Sequence, residues 1–232
     1  EGGNEMKIYA INGSTKGEAS NSREMISIVQ GYLAPGSKIE TVSQIRQYRK
    51  RDDSVFPAMA ASDVLLISSS LYVDALPATL LAFLERYAAY LAGPGKDARA
   101  RDQRVFACVN CGFFEGEQNE SALEILAHFS AFAGLRWSGG VGIGTGEMIG
   151  SLKNIPLDAS IRRPVARALH ALARAIDAGP DGRLVENIFA HHGLPSFLYK
   201  IGGEFGWRKQ AKQNGLKRRD IFLKPLEGAN TR

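Results

Sequence analysis

Three segments of this sequence gather hydroxyl, amide, cationic and aromatic side chains, and they are the places where binding chemistry is expected. The first covers residues 12–22 and holds two glycines and six polar candidates: Ser14, Thr15, Lys16, Ser20, Asn21 and Ser22. If it leads into a helix, the free N–H groups and the positive dipole at the helix start favour an anion. Neither G-x-G-x-x-G nor the P-loop pattern occurs in it, so one terminal phosphate fits better than a pyrophosphate. An ordinary polar turn is the alternative interpretation.

The second and third segments combine apolar and aromatic side chains with flexible backbone. Residues 69–77 and 110–119 supply eight candidates: Leu71, Tyr72, Val73, Asp74, Asn110, Cys111, Gly112 and Phe113. Apolar side chains in loops favour a flat ligand that covers them, and Gly112 lets a backbone approach such a ligand closely. The alternative is that Tyr72 packs on its own helix and Phe113 closes the core.

The segments between these loops alternate between strand and helix patterns. Apolar runs and apolar periodicity predict strands over 7–11, 38–42, 63–68, 104–110 and 137–143, and helices over 22–33, 77–91, 119–133 and 159–178. Residues 44–62 are charged and only partly helical in pattern. This alternation predicts an α/β fold, a doubly wound parallel sheet of five strands with helices on both faces. Ligands bind such a sheet beyond the carboxyl ends of its strands, where all three loops begin.

The C-terminal part of the chain breaks this alternation and carries all of the excess charge. Residues 181–232 contain 10 Lys and Arg against 5 Asp and Glu, so their net charge of +5 equals that of the whole chain. We expect a basic, partly helical extension there, with a strand near 185–191 and helices from 195 to 213, packed on or beside a main domain over 6–180. A solvated helix face explains the basic cluster most simply. Phosphates, nucleic acid or an acidic lipid surface are the alternative partners.

Length and composition exclude several classes of protein. A chain of 232 residues with 44% hydrophobic and 23% charged residues is globular rather than disordered. Two cysteines cannot build the disulfide framework of a small secreted domain, and no apolar run reaches the roughly 20 residues of a membrane span. Because the first five residues are polar and carry no signal-peptide pattern, the predicted location is the cytoplasm.

Three further motifs carry weaker chemical meaning. Cys108 and Cys111 form a C-x-x-C that straddles a strand end, where a buried cysteine and a loop cysteine are favoured over a redox or metal pair. Adjacent His191 and His192 would point to opposite faces of a strand, so no shared metal is predicted. The glycine-rich stretch 142–146 lacks the dinucleotide fingerprint and is either a rim of the site or a flexible loop.

Together the three loops resemble those of the NAD(P)H-dependent FMN reductase family of flavodoxin-like proteins. The matching residues are Ile11-Asn12-Gly13-Ser14-Thr15-Lys16 with Ser20-Asn21-Ser22, Leu71-Tyr72 with Leu76-Pro77, and Asn110-Cys111-Gly112-Phe113 with Gln118-Asn119. Residues 133–140 also resemble the segment before the last strand of some members. The likeness covers about residues 6–178 and departs at Thr15 and Ser70, where proline is frequent in the family.

This resemblance implies a flavodoxin-like sheet with strand order 2-1-3-4-5 and a bound FMN. It assigns the FMN phosphate to Ser14, Lys16, Asn21 and Ser22. It places the isoalloxazine and ribityl against residues 71–74, and the ring edge against backbone donors of residues 110–113. NAD(P)H is then the co-substrate. No catalytic side chain and no metal are required, because the flavin carries the redox chemistry.

The predicted function is therefore an FMN-dependent NAD(P)H oxidoreductase that serves a small or protein acceptor. One alternative is a flavodoxin-like electron carrier, which would need an acidic face for its basic partners and is disfavoured by the positive excess. The other is a flavin-free module that docks its basic tail on an acidic partner. The sequence disfavours nucleic acid as a partner, because aromatic and basic residues are not interleaved in it. The apolar face of helix 77–91 predicts a homodimer.

Overall fold

The structure of this chain is a computed structural model that describes residues 6–94, 97, 102–217 and 219–220. Its elements are β1 (Lys7–Asn12), α1 (Asn21–Tyr32), β2 (Lys38–Ser43), α2 (Gln44–Lys50), α3 (Phe56–Ala60), β3 (Val64–Ser70), α4 (Ala78–Ala92), β4 (Arg104–Asn110), a 3₁₀ turn (Gly116–Asn119), α5 (Glu120–Phe132), β5 (Arg136–Ile143), α6 (Glu147–Ser151), α7 (Arg163–Asp177), β6 (Ile188–Ala190) and α8 (Ser196–Gln213). Residues 1–5, Gly95, Arg218 and residues 221–232, which figure in the sequence predictions, lie outside the described residues.

Six parallel strands form one sheet in the order β2-β1-β3-β4-β5-β6. The predicted α/β class, parallel sheet and order 2-1-3-4-5 are confirmed. A sixth strand lengthens the predicted five, because β6 pairs with β5 through Val141 and Ile188. The predicted strand near 185–191 is thus present over three residues, but it belongs to the main sheet, which the sequence did not predict.

Each face of the sheet is covered by its own apolar core. Leu65 and Ile67 of β3 face the core beneath α4 and α5, whereas Val64 and Leu66 face the core beneath α1 and α7. Successive strand residues point to opposite faces, so a strand covered on both sides must be apolar throughout. This explains why β3 has a continuous apolar run rather than an alternating one.

The chain divides into two compact units, which meet in sequence at Gly193 and Leu194. The first unit contains all six strands and α1 to α7, and the second contains α8. The domain boundary after residue 180 stays a prediction. Within the described ranges, no helix combines the length and the apolarity that crossing a bilayer requires.

α8 is a helix with weak intrinsic stability. Gly202, Gly203 and Gly206 lie in its interior, and each glycine costs about 1 kcal/mol relative to alanine at such a position. No residue of α8 is buried. Its helical form therefore receives little support from its composition.

Arg104, at the start of β4, is buried against the end of α7. Its guanidinium donates to the carbonyl oxygens of Ala175 at 3.2 Å, Ile176 at 3.0 Å and Gly182 at 3.1 Å. Two of these carbonyls belong to the last turn of α7, where backbone acceptors lack intrahelical donors and the dipole favours a cation. One buried side chain thus ends the helix and fixes it to the sheet.

Arg104→Met should lower the free energy of unfolding by about 2–4 kcal/mol, because buried carbonyls lose their charged donor. Urea unfolding followed by circular dichroism measures the change. The matched control is Arg136→Met, which removes an exposed arginine from the paired position of β5 and should cost less than about 0.5 kcal/mol. Equal losses in the two variants would contradict a structural role for the buried guanidinium.

Candidate functional site

The first loop is organised by the buried amide of Asn12, the last residue of β1. Its Nδ2 donates to the carbonyl oxygen of Gly17 at 2.8 Å. Its Oδ1 accepts from the N–H of Ser14 at 3.2 Å and from Oγ of Ser20 at 3.3 Å. Gly17 has a φ of +62°, which the tight return of the loop requires. Sequence reasoning matched Asn12 to the family but did not count it as a site residue, although an amide at a strand end is a visible signal.

The start of α1 presents polar groups to this loop. Ser20 is the N-cap, and its Oγ accepts from the N–H of Arg23 at 3.2 Å. Asn21 and Ser22 follow in the first turn, where backbone N–H groups have no intrahelical acceptor. The Oγ of Ser22 is buried and has no hydrogen-bond partner among the described residues. Buried polar atoms are nearly always paired, so this hydroxyl is a hydrogen-bonding group that the described residues leave unsatisfied.

Ser14 and Lys16 complete the polar surface of the first loop. Ser14 is only 2% exposed, and its Oγ accepts from the N–H of Lys16 at 3.2 Å. The side chain of Lys16 is exposed and carries the positive charge of the loop. Hydroxyls, free N–H groups and one cation around a helix start form a donor set that suits a phosphate. The residues present therefore fit the phosphate group that the sequence predicted.

The second loop is a tight turn that contacts the first. Tyr72 and Ala75 exchange backbone hydrogen bonds of 2.8 and 3.0 Å, and the two residues between them, Val73 and Asp74, have φ values of 48° and 57°. Positive φ is strained for a β-branched residue, and Val73 is 97% exposed. The hydroxyl of Tyr72 lies 3.0 Å from Oγ1 of Thr15. Tyr72 therefore reaches the first loop and does not pack only on its own helix.

The third loop is held against the second by Asn110. The N–H of half-buried Leu71 donates to the carbonyl oxygen of Asn110 at 2.7 Å, and Nδ2 of Asn110 donates to the carbonyl oxygen of Ser69 at 3.1 Å. Gly112 and Phe113 follow and are exposed. A Cβ added at Gly112 would meet nothing within 4 Å, so space is open in front of this backbone. The Phe113 ring therefore does not close the core.

Both cysteines are free. Cys108 is buried in β4 as predicted, and Cys111 follows the strand as predicted but is buried as well. Burial raises the pKa of the Cys108 thiol to about 12 and also raises the pKa of Cys111. The Sγ of Cys111 accepts from Nδ2 of Asn119 at 3.4 Å. Since the thiolate is the nucleophilic and metal-binding form, neither thiol is set up for covalent chemistry at neutral pH.

A fourth segment, which sequence reasoning left as either a rim or a flexible loop, packs tightly beside the third loop. A Cβ at Gly144 would lie 2.1 Å from the carbonyl oxygen of Phe114, and the N–H of Gly146 donates to the carbonyl oxygen of Cys111 at 2.7 Å. The two glycines are therefore required by close backbone approach. The segment is an ordered wall at the β5 end of the site.

Asn21 is held by this fourth segment. Its Nδ2 donates to the carbonyl oxygen of Gly146 at 2.8 Å, and its Oδ1 accepts from the N–H of Gly150 at 3.1 Å. Both ends of the amide are thus used within the protein. The side chain of Asn21 therefore fixes the wall to the start of α1. The backbone N–H of Asn21 lies in the first helical turn, where it has no intrahelical acceptor.

The wall is anchored from behind by a buried histidine that the sequence did not assign. Nδ1 of His192 lies 2.8 Å from Oγ1 of Thr145, and the same oxygen accepts from the N–H of His192 at 3.0 Å. Burial, together with the nearby charges of Arg162 and His191, lowers the pKa of His192 to about 4. The ring of His191 instead packs on Phe114 at a centroid distance of 4.2 Å. The two histidines thus have separate structural partners.

Comparison with known proteins supports the fold but gives no closer relationship. No protein-family model matches this chain, and no curated protein matches it. A solved structure of a flavone reductase superposes with a TM-score of 0.55 at 11% identity, over 78% of this chain and 66% of the other. An NADH:FMN oxidoreductase in its apo form superposes with a TM-score of 0.52 at 15% identity, over 77% of this chain and 95% of the other. At these identities the likeness defines a flavodoxin-like α/β fold.

The free energy of unfolding should fall as the pH is lowered from 6.5 towards 4, because the unfolded chain takes up a proton that folded His192 refuses. The contribution of this residue is on the order of 3 kcal/mol. Urea unfolding at a series of pH values measures it. His192→Gln should remove about one proton from the pH dependence in this range, whereas His128→Gln, at an exposed position of α5, should not. The same pH dependence in both variants would rule out the buried histidine as its source.

Proposed function

We propose that this chain is an FMN-dependent NAD(P)H oxidoreductase that accepts hydride from a nicotinamide and passes electrons to a small or protein acceptor. The observation that carries the proposal is the orphaned hydroxyl of Ser22, buried in the first turn of α1. Ser14 and Lys16 lie on the loop that the same helix start faces. These donors match a phosphomonoester, and FMN ends in one.

The three loops divide the binding task by their chemistry. We assign the phosphate to Ser14, Lys16 and Ser22 and to the backbone N–H groups at the start of α1. Ser20 caps the helix, Thr15 holds the second loop through Tyr72, and the side chain of Asn21 holds the wall. In this proposal Thr15, Ser20 and Asn21 act as positioning residues whose side chains shape the anion site.

The remaining site residues suit a flat ring. Tyr72 and Val73 present apolar surface on the second loop, and Phe113 presents it on the third. Leu71 and Asp74 flank the turn, and Asn110 and Cys111 set the backbone that leads to open Gly112. FMN, when bound, would supply the redox chemistry, which is acceptance of hydride from the nicotinamide and transfer of electrons. The chain supplies apolar contact, which excludes water. It also supplies backbone N–H donors, which stabilise negative charge at the ring edge.

A carrier or a flavin-free module would behave differently from an oxidoreductase, and no structural observation favours either of them. The net charge of +5 gives a carrier no overall acidic character for basic partners. If the chain is a flavin-free interaction module, its first loop should bind no flavin. A homodimer and a cytoplasmic location belong to this proposal as predictions from sequence.

Ser22→Ala should weaken FMN binding about tenfold, because the phosphate loses a hydroxyl donor. The stability of the apo protein should stay unchanged or rise, since this hydroxyl has no partner to lose. Ser14→Ala combined with Lys16→Ala should weaken FMN binding at least as much. Riboflavin, which lacks the phosphate, should bind all variants within about twofold of the parent. Isothermal calorimetry measures both ligands.

The control variant is Ser130→Ala, which removes a buried hydroxyl of α5 whose Oγ donates to the carbonyl oxygen of Leu126 at 2.7 Å. It should leave FMN affinity unchanged. Equal weakening of FMN and riboflavin by the first-loop variants would reject the phosphate assignment. Absence of binding for either flavin would reject the function.

The FMN-loaded protein should lose its yellow absorbance when NADH or NADPH is added without oxygen. The nicotinamide can reach the ring only if the second and third loops leave one face open. An electron carrier would bind FMN but keep its visible spectrum under the same addition. Anaerobic stopped-flow absorbance separates these two outcomes.

A further inference from the structure

A cavity of about 570 Å³ opens between α2, the turn that follows it and α4. It is lined by Tyr48, Arg49, Arg51, Asp53 and Arg86. All five belong to the first compact unit, so that unit alone defines the shape of the cavity. Its volume is that of a site for a small organic ligand, and none of its residues belongs to the three loops of the flavin site.

Positive charge is concentrated at this cavity. Residues 44–53 contain four Lys and Arg against two Asp, although residues 1–180 contain 19 of each sign, from 29 − 10 and 24 − 5. One of the two carboxylates is already used, because Nε of Arg86 donates to Oδ1 of Asp53 at 3.0 Å. Arg49 and Arg51 are exposed and have no carboxylate partner among the described residues. Their planar guanidinium groups suit phosphate oxygens, which they can bind in a bidentate manner.

The two walls of the cavity are fixed to each other by a buried amide. Nε2 of Gln44, at the start of α2, donates to the carbonyl oxygen of Thr79 at 2.7 Å, and Oγ1 of Thr79 donates back to Oε1 at 3.4 Å. At the other end of α2, the N–H of Asp52 donates to the carbonyl oxygen of Gln47 at 3.0 Å. The backbone that carries the arginines is thus ordered without a ligand, which lowers the entropic cost of binding one.

Arg51 occupies a backbone position that favours glycine. It ends α2 with a φ of 50°, and its N–H donates to the carbonyl oxygen of Tyr48 at 3.2 Å. Glycine is the usual residue in this conformation after a helix, because a Cβ strains it. Strained residues of this kind cluster at ligand sites. The turn gains nothing from an arginine, so the side chain at the cavity is the feature that needs an explanation.

Tyr48 adds an aromatic surface to the cationic cavity. It is 39% exposed and immediately precedes Arg49. Aromatic rings stack on nucleobases, and arginines beside them bind the phosphates of the same ligand. A simple inorganic anion would use the arginines alone. The combination therefore favours a ligand that joins a flat base to phosphate groups.

We propose that this cavity binds a nucleotide that carries at least two phosphate groups. Arg49 and Arg51 would bind the phosphates, Tyr48 would stack on the base, and Arg86 would hold the turn through Asp53. A free nucleotide is one source of this chemistry. The adenosine end of NADPH is the other, because α2 begins beside the first loop, and this second source rests on the proposed function.

Isothermal calorimetry on the FMN-free full chain tests the proposal with ADP, pyrophosphate and adenosine. ADP should bind about tenfold more tightly than pyrophosphate, which lacks the base, and more than about tenfold more tightly than adenosine, which lacks the phosphates. Tyr48→Ala should weaken ADP about tenfold and leave pyrophosphate unchanged, whereas Tyr48→Phe should keep the affinity for ADP.

Arginine variants assign the phosphates to the cavity. Arg49→Gln with Arg51→Gln should weaken ADP and pyrophosphate more than about tenfold, because both ligands lose two guanidinium donors. The matched control is Arg136→Gln with Arg183→Gln, which removes two exposed arginines elsewhere in the first unit and should change neither affinity. Arg51→Gly should weaken ADP while leaving the free energy of unfolding unchanged or higher, since glycine relieves the strain.

Steady-state kinetics of the FMN-loaded protein separates the two sources. If NADPH supplies the nucleotide, Arg49→Gln with Arg51→Gln should raise KM for NADPH about tenfold and leave kcat and KM for NADH unchanged. If a free nucleotide is the ligand, neither KM should change while ADP binding is lost. A chain that binds no FMN would reject the proposed function, but calorimetry with ADP would still decide this proposal.

The proposal is wrong if ADP at millimolar concentration does not bind, or if the cavity variants and the arginine control lose affinity equally. It is also wrong if Ser14→Ala with Lys16→Ala abolishes ADP binding and the cavity variants do not, since ADP would then occupy the first loop. A single-stranded oligonucleotide that binds more tightly than ADP and is lost in the same variants would make the cavity part of a nucleic-acid surface instead. Circular dichroism and urea unfolding of each variant would establish that it is folded.

Discussion

All six strands of this sheet run in one direction, and that constraint shapes everything at the candidate site. Parallel strands bring their carboxyl ends to a single edge, so every connection must leave there and return along a helix on one face. Backbone groups at that edge lose the partners that the sheet provides. Asn12 ends β1 and Asn110 ends β4. The side-chain Nδ2 of each donates a hydrogen bond to a backbone carbonyl at the same edge. The loops that could hold a ligand are thus shaped by the requirement to satisfy polar groups where strands stop.

The edge is closed on one side and open on the other. Near β5 and β6 the backbones of neighbouring segments touch, so that a Cβ would lie 2.7 Å from another backbone atom at Gly116 and 2.1 Å at Gly144. At Gly112, by contrast, a Cβ would meet nothing within 4 Å. Open space at this edge therefore lies in front of Gly112, next to the place where the three loops join through Tyr72 and Leu71. Close glycine packing supplies the rigid wall, and Asn21 and His192 hold that wall from either side.

Two settings of exposed apolar side chains, the turn at Val73 and helix α8, differ physically. Val73 is exposed in a strained turn of the first unit, where neighbouring hydrogen bonds fix the backbone and leave the side chain free. Phe197 and Phe205 lie on a helix whose three interior glycines give it weak propensity. In the first case neighbouring hydrogen bonds determine the conformation, whereas in the second the helix has little intrinsic support.

Much of this molecule is determined by local sequence. The continuous apolar run of β3, the helix stops and the hydroxyl-rich loop after β1 predicted the parallel sheet and the loops at its edge, because burial and turn chemistry leave periodic marks. The strand order came instead from the resemblance to flavodoxin-like proteins. A strand near 185–191 was predicted, but its pairing with β5 was not, because three residues leave no clear pattern of burial. The contacts of Asn21 with Gly146, of Arg104 with the end of α7 and of Thr145 with His192 join residues that are far apart in the chain. No local pattern specifies such pairs, since a polar side chain obtains its partner only when packing brings distant backbone within hydrogen-bond distance.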